Sequence, residues 1–170
     1  MQMKIIFVRH GQSNIKTNKL TLKGHLQALG AKNFLKNEEF DCIFCSPQIR
    51  ALQTAKILNK GRNKPLFITK NFDERDILPI GKEELEEEYK KFYFKYNFES
   101  QEYQTCKDFI DKIFAGMQEV LDNKDQFKTV VIVGHNSTLY GINAFVNGIP
   151  KTNKISWLQC SNGAVIKFLL

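Results

Sequence analysis

Lys4-Ile5-Ile6-Phe7-Val8-Arg9-His10-Gly11-Gln12-Ser13 decides how this chain is read. A short apolar run rich in β-branched residues stops abruptly at a polar, glycine-containing turn, which is the pattern of a buried strand feeding a loop. Runs of the same character recur at residues 41–45, 66–69 and 129–133. Four interior strands are therefore expected. Between them, Leu22, Leu26, Leu29 and Leu35 fall roughly on one helical face, as do Ile49, Leu52, Ala55 and Leu58. Strand alternating with helix argues for an α/β layered domain.

The outer part of the chain is read less sharply. Residues 83–123 have a mostly helical pattern with a break at 97–100, and carry an acidic run at 83–88 and an aromatic cluster of Phe92, Tyr93, Phe94 and Tyr96. The acidic run is expected to be a solvated helix face and the aromatics to be core. Residues 155–158 and 164–170, around Ser161-Asn162-Gly163, are expected to form a terminal hairpin.

With 170 residues, 42% hydrophobic and 25% charged, the chain has the size and composition of one folded domain, taken here as 1–170. The start is too short in apolar residues for a signal peptide, and no later run has the length of a membrane span, so a cytoplasmic protein without membrane contact is expected. The net charge of +7 raises the question of nucleic acid, but the lysines are scattered and no basic stripe interleaved with aromatics is present. A small anionic partner fits better. Cys42 and Cys45 have the spacing of a metal or redox pair, yet residues three apart on a strand point to opposite faces, and Cys106 and Cys160 stand alone. Buried reduced thiols are the expectation.

Two of the three histidines, His10 and His135, stand just past the carboxyl ends of expected strands, each beside a glycine. That edge of an open α/β sheet is where ligands bind, and glycine lets backbone amides approach a ligand closely. His25 falls mid-helix and is expected at the surface. Arg9 adjoins His10, and Arg50 follows a third strand end through Ser46-Pro47, which are expected to cap and open a helix. A guanidinium matches phosphate oxygens with a rigid fork. Two arginines and two histidines on one edge point to a phosphate pocket.

Arg9-His10-Gly11-Gln12-Ser13 resembles the signature of the histidine phosphatase superfamily, which includes the cofactor-dependent phosphoglycerate mutases. The resemblance extends to Leu20-Thr21-Leu22-Lys23-Gly24 with Gln27-Ala28 and Leu29-Gly30, to Ser46-Pro47 through Arg50-Ala51 and Gln53-Thr54-Ala55, and to Val131-Ile132-Val133-Gly134-His135. It implies a three-layer α/β/α sandwich around a mostly parallel sheet, phosphoglycerate mutase-like, with a mainly helical insertion at about 76–103. It also implies that His10 is phosphorylated by in-line attack and that Arg9, Arg50 and His135 neutralise the phosphoryl oxygens, with no metal or other cofactor. Phe72-Asp73-Glu74-Arg75-Asp76 is similar to the segment that supplies the general acid, which implies Glu74, with Asp73 and Asp76 as rivals. Where the family carries a phosphate-touching asparagine this chain has Lys16, and Asn14 or Asn18 are substitutes. Gln12 and Asn136 complete the candidate phosphate contacts.

The activity so implied is hydrolysis of a small phosphomonoester or of phosphohistidine on a protein. A mutase that keeps its phosphoryl group is the second reading. The chain ends soon after its last hairpin, without the tail expected to close a mutase site, so hydrolysis is favoured. A non-catalytic phosphate-binding module is the third reading; such a module has no need of His10 as nucleophile.

Overall fold

The computed structural model describes residues 2–74, 106–148 and 160–170. The expected insertion, the acidic run, the aromatic cluster and the first half of the terminal hairpin lie outside them. Among the described residues five strands are present: β1 (Lys4–Arg9), β2 (Cys42–Cys45), β3 (Leu66–Ile68), β4 (Thr129–Gly134) and β5 (Val165–Leu169). Four helices accompany them there: α1 (Leu22–Phe34), α2 (Ile49–Asn59), α3 (Cys106–Asp122) and α4 (Asn136–Asn147).

The sheet order is β3-β2-β4-β1-β5. β1, β2, β3 and β4 pair in parallel, and β5 closes the edge antiparallel to β1. Side-chain alternation along the strands divides the core in two. Ile6, Val8, Ile43, Cys45, Val131 and Val133 face Ala31, Leu35, Ala51, Ala55 and Leu58 of the α1–α2 side. Ile5, Phe7, Cys42, Phe44, Val130 and Ile132 face Ile110, Ile113, Met117, Leu139 and Ile142 of α3 and α4. Helices thus cover both faces of a mostly parallel sheet, the three-layer arrangement expected. Cys42 and Cys45 point to opposite faces, and burial pushes both thiols up to about 12, away from the thiolate that metal binding or redox chemistry needs.

Three expectations need correction. The strand at 66–69 is an edge, not an interior, strand: Phe67 and Ile68 are exposed. At α1 only Leu35, at its end, is buried as expected. Leu22, Leu26 and Leu29 are exposed, Leu22 at 80%, while Gly24, Ala28 and Ala31 are buried. A Cβ on Gly24 would stand 2.0 Å from the Gln12 carbonyl oxygen, and one on Gly11 2.2 Å from that of Gly24. The helix packs so closely on the loop after β1 that only its small-residue face fits. On α2, Ala55 and Leu58 are buried as expected and Ile49 is exposed. The third correction concerns Ser46, which does not occupy the cap position of α2. That position is held by Gln48, whose amide donates to the Ser46 hydroxyl at 3.2 Å. α2 therefore begins two residues after Pro47.

Candidate active site

The carboxyl ends of the four parallel strands deliver the side chains. Arg9 and Gly134 are register partners on β1 and β4, so His10 and His135 emerge side by side, with ring centroids 5.0 Å apart. Cys45 of β2 is paired with Val133, which brings Ser46 beside His135 and starts the turn into α2 that carries Arg50. β3 passes through a 3-10 turn at Lys70–Phe72 and delivers Asp73 and Glu74 to the same edge.

His10 is buried, and its Nδ1 lies 2.7 Å from the carbonyl oxygen of Gly11. A carbonyl only accepts, so Nδ1 carries the proton and Nε2 the lone pair. Nε2 accepts from Nε of Arg50 at 3.1 Å. Burial, the neighbouring His135 and the Arg50 charge together drive the ring's pKa down to about 3, so His10 is a neutral imidazole at pH 7 with its free nitrogen facing the cluster.

Around His135, which is fully buried, Nε2 lies 2.8 Å from the Ser46 hydroxyl, and Nδ1 lies 3.3 Å from both Arg50 Nη2 and Glu74 Oε2. The Ser46 hydroxyl also reaches Asp73 Oδ1 at 3.2 Å. Glu74 Oε2 accepts from Arg50 Nη2 at 2.5 Å. Burial works to raise the Glu74 pKa, but hydrogen bonding and charge from His135, then Arg50 and His10, outweigh it and hold the carboxyl at about 2.

His10, Glu74 and His135 each place one ligand atom within 4.8 Å of the others, a spacing that suits a metal ion. The Arg50 guanidinium, however, bonds to all three side chains. A fixed organic cation fills the place a metal would take, and its fork suits a phosphoryl group's equatorial oxygens.

The other candidates are placed as follows. Arg9 donates through Nη1 to the Cys160 carbonyl, and its Nε is buried with no partner among the described residues. Gln12 is exposed, and its side chain accepts from the Thr21 hydroxyl at 2.9 Å. Lys16 is exposed on a tight turn that Asn14 caps through its side-chain oxygen. The side chain that reaches Arg50 from this turn is that of Asn18, which also donates to Gln48. Asn136 turns away, its oxygen accepting from the Cys160 amide at 3.0 Å. Of the rivals to Glu74, Asp73 lies on the far side of His135, and Asp76 is outside the described residues. His25 is half-buried against the Thr21 carbonyl. Sequence reading missed the contacts of Ser46 with His135 and Asp73. Its place just past a strand end, like that of both histidines, is the signal that marks it.

Comparison with known proteins identifies the family. Residues 5–170 match the model of the histidine phosphatase superfamily, branch 1. An uncharacterized phosphatase of Bacillus subtilis, PhoE, is 26% identical over 153 residues, covering 85% of this chain and 77% of that protein. Two solved structures share the fold at lower identity. A mycobacterial glucosyl-3-phosphoglycerate phosphatase superposes with a TM-score of 0.84 at 15% identity, covering 97% of this chain and 90% of that one. A phosphoglycerate mutase from Bacillus anthracis superposes at 0.80 and 18%, covering 99% and 88%. The chain belongs to the histidine phosphatase superfamily.

Proposed function

We propose that this member of the superfamily hydrolyses a small phosphomonoester, or phosphohistidine on a protein, by passing the phosphoryl group through His10 without a metal ion. The observation that carries the reading is the Gly11 carbonyl on His10 Nδ1, which leaves a neutral Nε2 lone pair beside Arg50 and His135. An imidazole in this state attacks phosphorus at pH 7 without a separate base. The N–P bond forms as the P–O bond to the leaving group breaks. Arg50, His135 and Arg9 take up the charge on the equatorial oxygens, the largest source of rate in such transfers.

The departing alkoxide needs a proton, and in this reading Glu74, beside His135 and Arg50, carries it. In the free site Glu74 is a carboxylate because cations hold it so. A docked phosphoryl dianion competes for those cations and raises its proton affinity. Glu74, protonated from solvent as substrate docks, then gives that proton to the leaving oxygen and takes one back from the water that cleaves the N–P bond, releasing inorganic phosphate and restoring His10. Asn18, rather than Lys16, is the side chain on the preceding turn that holds Arg50 in place. The buried thiols of Cys42 and Cys45 support a reducing, cytoplasmic setting.

The test is rapid quench of a single turnover with an aryl phosphate. An acid-labile, base-stable phosphoryl adduct on His10, absent in His10→Ala, is expected. Label on a serine, or on His135 alone, overturns the reading.

A further inference from the structure

Asp73 and Glu74 are adjacent, and the extended backbone at Asp73 sends their carboxylates in different directions. The two close on the His135 ring from its two nitrogens. Glu74 Oε2 lies 3.3 Å from Nδ1, and Asp73 Oδ1 lies 3.9 Å from Nε2 with the Ser46 hydroxyl between them. Glu74 belongs to the transfer chemistry above, whereas Asp73 has no role in it.

The Ser46 hydroxyl has one proton to give and two lone pairs to fill. Its three partners account for all of them. The Gln48 amide can only donate, so it takes one lone pair. The Asp73 carboxylate can only accept, so it takes the proton. What remains for His135 Nε2 at 2.8 Å is the second lone pair, and this is satisfied only when Nε2 carries a hydrogen. Asp73 is itself held in position by the Glu74 amide, which donates to the same oxygen at 2.8 Å.

We propose that Asp73 is a positioning residue which, through Ser46, fixes His135 with its hydrogen on Nε2, so that every proton the ring gains or loses is carried on Nδ1, facing the phosphoryl site. The ring can then hold a phosphoryl oxygen only as the imidazolium, with both nitrogens donating. Without the Asp73 acceptor, the Ser46 proton turns to Nε2 and the neutral ring places its hydrogen on Nδ1, toward Glu74. The consequence for catalysis rests on the phosphatase reading, but the tautomer does not. The charged and titratable groups facing this ring among the described residues are His10, Arg50, Asp73 and Glu74.

The experiment is long-range proton–nitrogen NMR of the full chain labelled with 15N-histidine, without ligand, at a pH where His135 is neutral. In the wild type, Nε2 should show the shift of a protonated ring nitrogen and Nδ1 that of an unprotonated one. Asp73→Ala should move the population toward hydrogen on Nδ1. Asp73→Asn keeps an accepting oxygen and should retain the wild-type pattern. Ser46→Ala, which removes the relay itself, should also release the tautomer. In parallel, kcat of Asp73→Ala should fall by more than about tenfold, with Asp73→Asn recovering part of it. A wild-type spectrum with hydrogen on Nδ1, or an unchanged spectrum in both Asp73→Ala and Ser46→Ala, overturns the proposal whatever the activity. Failure of the phosphatase reading instead shows as absence of the His10 adduct with the tautomer pattern intact.

Discussion

Nε of Arg50 lies 3.1 Å from Nε2 of His10 and donates to the one nitrogen of that ring with a free lone pair. In the proposed reaction, the side chain that grips the phosphoryl group therefore also occupies the nucleophile until substrate arrives. On that reading, substrate binding draws the guanidinium onto the phosphoryl oxygens and releases Nε2 in one movement. Nη2 already spans Glu74 and His135, so a short shift of one planar group suffices.

Arg50→Lys should consequently behave almost as badly as Arg50→Ala. Lysine keeps the charge but offers a point where three directed donors are needed. A loss of about a hundredfold or more in kcat/KM is expected, the scale of removing one charge-stabilising donor. Steady-state kinetics on an aryl phosphate checks this, and lysine activity near wild type contradicts it.

The depressed His10 pKa gives a pH signature with a definite sign. A histidine ordinarily near 6.5 that titrates at about 3 when folded favours the native state fully above pH 6.5, and that contribution is lost as pH falls toward 3. The melting temperature of the wild type should drop more steeply below pH 6.5 than that of His10→Asn. By NMR, the His10 ring should not titrate between pH 8 and 5; a midpoint near 6.5 contradicts this.

In the proposed reaction, Glu74→Gln removes the proton carrier while keeping a hydrogen-bonding side chain. In single-turnover adduct formation, alkyl phosphates should slow by roughly a hundredfold or more, the usual scale of general acid catalysis. Aryl phosphates, whose leaving groups depart unaided, should slow much less. The same leaving-group dependence in mutant and wild type removes Glu74 from this role.

Gly24→Ala tests the packing beneath the site. The added methyl would lie 2.0 Å from the Gln12 carbonyl oxygen, so α1 or the loop after His10 must move. A loss of about 2 kcal/mol in unfolding free energy is expected, measured by denaturant titration. Gly30→Ala, where nothing lies within 4 Å, is the control and should leave stability unchanged or raised.

By itself the sequence determined where the parallel strands lie, their order with the helices, and that Arg9, His10, Arg50 and His135 stand at or beside strand ends, because these are written in short-range patterns. An apolar run ending at glycine marks a strand end, and a phosphate-binding edge shows as charged and imidazole side chains at several such ends. Tertiary structure decided what depends on distance between segments. Which face of α1 is buried was settled by the close approach of Gly24 to Gln12, since both the leucine and the small-residue faces have helical spacing. That Asn18 rather than Lys16 reaches Arg50 follows from a turn in which Asn18 adopts a positive φ of 56°. Asp73 and Glu74 are indistinguishable as neighbouring acids in a sequence. Only the folded backbone sends one to Nδ1 of His135 and the other, through Ser46, to Nε2, because the hydrogen bonds that set a tautomer join residues 27 and 89 positions apart.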